Sequence, residues 1–382
     1  MRLTIRNSIT RNAMLPKEIL KPYLLKTPEY RGGQGMEEVK TKVDKIYKLS
    51  SNENPIGPSP KAMKALQESA KNLHIYPDRT GDRLQDALAD FYNHELSADN
   101  FVATNSGSET IEFIARAFMK EGLECIVSNP SFMPYTMFSG WNGAKVIDIP
   151  LLIPNYELNV AAILDAINEN TRLIFLTSPN NPTGTYISKA KIDELMDNIP
   201  NHVVIVLDEV YYHFANAEDF TTALPYVKAG KNIIAVNSFS KTYGLAALRI
   251  GYAYSTPEIA SYLRRLYRPF LINIIGLNAG IAALSDTEFI NETVEIVQTE
   301  RLRFYPVFEE LGIAYWKTQA NFILFKSPID TETFINKILE ECGVMVRDAG
   351  GFAAPGCIRV TIGTTEANDT FFDGIKKVMR EN

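Results

Sequence analysis

The sequence has little of what staples small proteins or binds metals. Its three cysteines, Cys125, Cys342 and Cys357, are odd in number, widely spaced and lack a C-x-x-C pair. That pattern excludes a disulfide framework. The four histidines, His74, His94, His202 and His213, show no ligand spacing, so no metal site is expected. No apolar run approaches the roughly 20 residues that cross a bilayer. An excess of basic charge is also missing: the net charge is -6. This argues against a nucleic-acid or anionic-membrane partner, since both need a concentrated basic face. A reduced, cytoplasmic, metal-free protein is expected. The first thirteen residues carry Arg2, Arg6 and Arg11 and no acid, yet have neither an apolar core nor a small-residue cleavage site. They read as an N-terminal arm rather than a transit peptide.

What is present is ordinary globular composition, 46% hydrophobic and 22% charged over 382 residues, enough for two or three domains. From residue 100, short β-branched runs alternate with helical patterns. The strand candidates are Phe101–Thr104, Cys125–Ser128, Lys145–Ile149, Leu173–Thr177, Val203–Leu207, Ile233–Asn237 and Ile250–Tyr254. Runs such as VVIVL are apolar throughout, which suits strands covered on both faces. The alternation predicts an α/β fold with a mainly parallel seven-stranded sheet. Beyond residue 280 the pattern changes to a long helix over about Asp286–Leu311, three short strands and a last helix from about Thr370. This gives a large domain over 73–280 and a smaller α+β domain over 281–382. Residues 1–72 form an arm and a part of the smaller domain.

In such a sheet ligands bind beyond the carboxyl ends of the strands. The residues there are polar and specific, although each motif has a plain structural explanation as well. Asn105-Ser-Gly-Ser-Glu109 opens a helix, where Ser106 and Glu109 fit a capping box; the free N–H groups also suit a phosphate. Ser178-Pro-Asn-Asn-Pro-Thr-Gly184 would make a tight turn in any protein. Asp208-Glu-Val-Tyr211 places a carboxylate at a strand tip, able to cap a turn or to pair with a protonated ring nitrogen. Ser238-Phe-Ser-Lys241 precedes Arg249 by a short apolar stretch. A lone lysine is usually a solvated charge, whereas apolar bulk and a nearby cation would lower its pKa as an imine-forming amine requires. The serines and Arg249 could hold a dianionic phosphate beside it. Ser238-Phe-Ser-Lys241 also satisfies the S-x-x-K pattern of penicillin-recognising hydrolases, but the accompanying S-D-N and K-T-G strings are absent.

N-P-T-G, D-E-x-Y and S-x-S-K…R, in this order and at these separations, resemble the fold-type I class I/II aminotransferases, enzymes that use pyridoxal 5'-phosphate. Leu49-Ser-Ser-Asn-Glu-Asn-Pro-Ile-Gly-Pro-Ser-Pro60, Tyr76-Pro-Asp78, Gly343-Val-Met-Val-Arg347 and Gly356-Cys-Ile-Arg359 point to the histidinol-phosphate aminotransferases among them. The resemblance implies that Lys241 holds the cofactor as an imine and moves the proton between substrate and cofactor carbons. It implies that Asp208 pairs with the ring nitrogen, that Tyr211 and Asn181 contact the phenolic oxygen, and that Tyr135 stacks on the ring. Gly107, Ser108, Ser238, Ser240 and Arg249 would hold the phosphate. Tyr76 would reach the cofactor of a neighbouring subunit, making a homodimer the active unit.

For substrate, the resemblance assigns Arg359, Arg347, Tyr23 and Asn181. A transaminase takes an amino donor and a 2-oxo acid acceptor in turn at one site, and one arginine can serve both a carboxylate and a phosphate ester. Arg359 and Thr361 alternate with Ile358, Val360 and Ile362, so both side chains point away from the small-domain core. The sequence departs from the family at Ser106-Gly-Ser-Glu109, at Ala247 and in the Gly/Ala-rich loop 348–356. The resemblance implies transamination of histidinol phosphate with 2-oxoglutarate, a step of histidine biosynthesis; an aminotransferase for aromatic or other amino acids, or a decarboxylase of the threonine-phosphate type, stays open beside it.

Overall fold

The computed structural model describes residues 20–23, 25, 39 and 43–381. The arm expected over the first thirteen residues lies outside the described residues. Along the described chain run β1 (Tyr47–Lys48), β2 (Phe101–Thr104), β3 (Glu124–Val127), β4 (Lys145–Asp148), β5 (Thr171–Thr177) and β6 (Val204–Asp208). They are followed by β7 (Ile233–Ser238), β8 (Gly251–Tyr254), β9 (Phe322–Lys326), β10 (Val344–Met345), β11 (Arg347–Asp348) and β12 (Cys357–Thr361).

Strands β2 to β8 form one sheet in the order β2-β8-β7-β6-β5-β3-β4. Strands β4, β3, β5, β6 and β7 pair in parallel, and β8 runs antiparallel to both β7 and β2. The mainly parallel seven-stranded sheet expected from the sequence is therefore present. The apolar runs of its central strands, such as β6 and β7, are explained by cover on both sides. Alternation along β6 and β7 sends Ile205, Leu207, Ile233 and Ala235 to one face, against Leu277 and Ala279 of the helix Ile274–Leu284. Val204, Val206, Ile234 and Val236 go to the other, against Ile111 and Ile114 of the helix Gly107–Phe118.

The C-terminal region builds a second sheet, β11-β12-β9, entirely antiparallel. The long helix occupies Thr287–Glu310, within a residue of the expected bounds at each end. The last helix spans Thr365–Arg380 and starts before Thr370, because Thr364 caps it by accepting the Ala367 N–H. Strand β1 pairs in parallel with β10, and Leu49 joins the core of this smaller layer. The helix Pro60–Ser69, expected with the smaller domain, instead buries Ala62 in the core of the large one. Its Ser69 hydroxyl accepts from Asn278 of the helix Ile274–Leu284 at 2.8 Å. A proline start and a Ser59 cap fix where this helix begins, and its apolar stripe finds the large-domain surface.

Candidate active site

Because β5, β6 and β7 run in parallel, Thr177, Asp208 and Ser238, each the last residue of its strand, sit on one edge of the sheet. They floor a cavity of about 310 Å³ that is closed on its other side by Arg347 and Arg359 of the smaller layer.

One wall is built for an anion. Gly107 and Ser108 begin a helix of twelve residues, and Ser238, Ser240 and Arg249 line the cavity beside them. The capping box is real: Ser106 Oγ accepts the Glu109 N–H at 3.0 Å, and Glu109 Oε2 accepts the Asn105 N–H at 2.6 Å. It leaves the first N–H groups of the helix to the cavity, so the two readings of this motif are compatible. The backbone approach is tight. A Cβ on Gly251, beside Arg249, would lie 2.4 Å from the Gly107 nitrogen.

Lys241 lies between this wall and the arginines, its Nζ donating to the Ser51 carbonyl at 2.8 Å. Burial pushes its amine down to about 7, and the Arg359 guanidinium adds to the effect against the pull of Glu53. The loop after Lys241 is held by Gly244 (φ +68°), where a Cβ would meet the Gly57 carbonyl oxygen at 2.0 Å. This contact clamps the segment 50–58 over the lysine.

Asp208 is 4% exposed, and burial raises its carboxyl to about 6. Its Oδ2 accepts the Tyr135 hydroxyl at 2.7 Å and its Oδ1 the Val210 N–H at 3.1 Å. These bonds commit the Tyr135 hydroxyl to the aspartate. Its own ring is stacked on Phe175 (5.1 Å between centroids, 12° between planes), and its hydroxyl also meets Thr177 Oγ1 at 2.8 Å. Phe132, a half-buried ring, lines the cavity beside Tyr135.

Opposite, Arg359 projects from β12 and is 5% exposed. Its Nη1 donates to Asn181 Oδ1 at 2.5 Å and its Nη2 to the Ser50 carbonyl at 2.8 Å. Its guanidinium lies 5.3 Å from the Phe322 ring centroid and 5.2 Å from that of Phe352. Arg347 stands directly across from it in the β11–β12 register. Tyr211 packs edge-on against Phe322 and accepts a hydrogen bond from Asn52 Nδ2 at 3.0 Å.

Two expected residues are not part of this chain's cavity. Tyr76 is 77% exposed and stacks on Phe270 at 4.4 Å. Tyr23 lies against Gly143, away from the cavity lining. Sequence reading missed the segment 50–53, Phe132 and Phe352. The polar run S-S-N-E-N held a signal, since such a stretch must satisfy its polar groups wherever it is buried. Together the cavity offers anion donors at one end, a carboxylate at the base and a depressed-pKa amine between them. That set suits a phosphorylated aldehyde with a basic ring nitrogen.

The family model for aminotransferase class I and II matches residues 44–375. The chain belongs to the class I and II aminotransferases. It is 36% identical over 370 residues to histidinol-phosphate aminotransferase from Moorella thermoacetica, covering 96% of this chain and 94% of that one. It is also 36% identical to the enzyme of the same name from Akkermansia muciniphila over 362 residues, 94% of this chain and 98% of that one. Among solved structures, histidinol-phosphate aminotransferase from Sinorhizobium meliloti in complex with pyridoxal-5'-phosphate superposes with a TM-score of 0.81 at 25% identity, over 88% of this aminotransferase and 92% of that chain. The aminotransferase thus has the fold-type I architecture of those enzymes.

Proposed function

We propose that this aminotransferase transfers the amino group of histidinol phosphate to 2-oxoglutarate, using pyridoxal 5'-phosphate in a homodimer. The observation that carries the substrate is the pair of guanidiniums, Arg347 and Arg359, across the cavity from Lys241. Two arginines there suit an amino donor bearing a phosphate ester and, in the second half-reaction, a dicarboxylic acid. The curated relatives of that name, similar over nearly the whole chain, support the same reading.

The cofactor, when bound, supplies an electron sink for the carbanion left when the substrate α-carbon loses its proton. The chain's own groups do the rest. Gly107, Ser108, Ser238, Ser240 and Arg249 hold the phosphate. Asp208, kept in place by Tyr135 and the Val210 N–H, holds the proton on the ring nitrogen. Tyr211 and the Asn181 amide meet the phenolic oxygen, and Phe132 covers the ring. Lys241, whose amine burial brings down to about 7 so that a neutral fraction is available there, would move the proton at the substrate α-carbon. Tyr76, exposed on its own chain, reaches the phosphate bound by the other subunit.

Purified protein loaded with cofactor and 2-oxoglutarate is expected to form glutamate from histidinol phosphate far faster than from phenylalanine. Equal or faster turnover of phenylalanine would assign the chain to aromatic substrates instead. Carbon dioxide release without consumption of the oxo acid would make it a decarboxylase. Sedimentation should give twice the chain mass; a monomer with full activity would remove the role given to Tyr76.

A further inference from the structure

The tyrosine assigned to the phenolic oxygen is itself held by a residue the motifs did not single out. Asn52 is 1% exposed and sits in the left-handed region, φ +56°, which asparagine tolerates better than most residues. Each of its polar positions is used. Its N–H donates to Thr361 Oγ1 at 2.9 Å, and the Thr361 hydroxyl donates back to Asn52 Oδ1 at 3.3 Å. Its carbonyl accepts from Asn321 Nδ2 at 3.1 Å. Its Nδ2 donates to the Tyr211 hydroxyl oxygen at 3.0 Å.

The direction of these bonds matters more than their number. Thr361 Oγ1 accepts from the Asn52 backbone and gives its own proton to Oδ1, and this pairing leaves the other end of the amide facing Tyr211. The end facing it is the NH2 group, which can only donate. Tyr211 therefore accepts from Asn52 and keeps its own proton for another acceptor. Among the described residues the Tyr211 hydroxyl has no other hydrogen-bond partner, and Tyr211 lines the cavity.

We propose that Asn52 and Thr361 are positioning residues that set the polarity of the Tyr211 hydroxyl, aiming its proton at an anionic oxygen of the cofactor. The idea rests on the reading that Tyr211 meets the phenolic oxygen of pyridoxal phosphate. It extends that reading to the N-terminal segment and the smaller layer, which together decide whether Tyr211 donates or accepts. It also gives a use to Thr361, the companion of Arg359 on the site-facing side of β12.

Asn52→Asp replaces the donor by an acceptor of the same shape and turns the Tyr211 proton away from the cavity. Thr361→Val frees the amide to flip without changing charge, and Thr361→Ser restores the hydroxyl. The readouts are the pH midpoint of the bound cofactor's visible absorption band and the Kd for pyridoxal phosphate, each measured also in a Tyr211→Phe background. Tyr211→Phe alone tests the underlying reading: its midpoint is expected to rise by about one to two pH units, the size of one charge-assisted hydrogen bond. If it does not move, Tyr211 does not meet that oxygen. If it moves, Asn52→Asp and Thr361→Val are expected to raise the midpoint too and Thr361→Ser to restore it; once Tyr211 is phenylalanine, Thr361→Val should add no shift and Asn52→Asp only the smaller one due to its new charge. Equal shifts in both backgrounds, or unchanged midpoints in the Asn52 and Thr361 variants beside a shifted Tyr211→Phe, overturn the proposal. Should Asn52→Asp fail to fold, the Thr361 pair decides alone.

Discussion

The two walls of the cavity are made in different ways. On the large-domain side, Thr177, Asp208 and Ser238 end adjacent parallel strands, and Lys241 follows three residues after Ser238. Position there is set by strand register, and each group lies in a short run of sequence. The opposite wall is assembled from remote pieces. Arg359 meets Asn181 across 178 residues and Ser50 across 309. The contrast separates two tasks. On the function proposed above, the wall built by local sequence serves the cofactor and the wall built by tertiary contact serves the substrate. A cofactor site that must stay rigid is well served by the middle of a sheet covered on both faces, and a substrate site benefits from elements that can vary.

The comparison is broken most directly at Lys241. Lys241→Ala is expected to lower turnover by at least about 10³-fold, since it removes both the covalent link and the proton carrier. Cofactor should still be retained on the remaining groups of its wall, seen as bound pyridoxal phosphate lacking the imine absorption. Residual turnover within tenfold of the parent would show that the lysine is not the base. The next largest effect is expected opposite. Arg359→Gln should cut kcat/KM for histidinol phosphate and for glutamate by roughly 10- to 100-fold, the worth of a charge-assisted hydrogen bond. Cofactor affinity should change little. A matching loss of cofactor would mean that the two walls are not separable.

How much could be read beforehand follows the same division. The central strands of the main sheet were legible because runs such as Val203–Leu207 are apolar at every position, as cover on both faces requires, whereas the edge strand Lys145–Asp148 was legible from its place in the alternation with helices. Asp208 and Lys241 were legible because they lie at or within three residues of the ends of such runs. Tyr135 was legible as an aromatic near the site but its bond to Asp208 was not, as nothing in P-S-F-M-P-Y says where a hydroxyl will find its acceptor; Phe132 lines the cavity beside it. Asn52 was not legible as a site residue. Its partners, Tyr211, Thr361 and Asn321, lie between 159 and 309 residues away. The helix Pro60–Ser69 went to the large domain because an amphipathic stripe announces that it will be buried but not against which core.

A smaller effect links the walls. Burial, and after it the Arg359 charge, holds the Lys241 amine near 7 rather than in the usual lysine range. The folded pKa is depressed, so the apoprotein carries the cost of a buried charge below about pH 7. That cost is relieved as pH rises toward the unfolded value. Capture of the cofactor aldehyde needs the neutral amine, so its rate should climb through a midpoint near pH 7. In Arg359→Gln the midpoint should move up by a fraction of a unit. Stopped-flow absorbance across pH 5.5 to 9 measures it, and a midpoint that stays in place would mean the arginine charge does not reach the lysine.

The smallest expected effect tests the large-domain wall from within. If Tyr135 acted as a stacking ring, Tyr135→Phe would be nearly silent, because phenylalanine stacks as well. The structure gives the hydroxyl the task instead, donating to Asp208 at 2.7 Å. Removing it should weaken the hold on the ring nitrogen by about 1 kcal/mol, roughly fivefold in cofactor affinity. The sign of the pH effect is a sharper mark. Burial raises the Asp208 carboxyl to about 6, while the Tyr135 and Val210 donors oppose that rise by favouring the carboxylate. Without the phenol the carboxyl should hold its proton to higher pH. Cofactor affinity, which needs the ionised aspartate, should then fall away at a higher pH than in the parent. Phe132→Ala, which removes the ring on the cavity, should weaken binding without moving that acid limb. If the two variants behave alike, the division of labour between these aromatic residues is wrong.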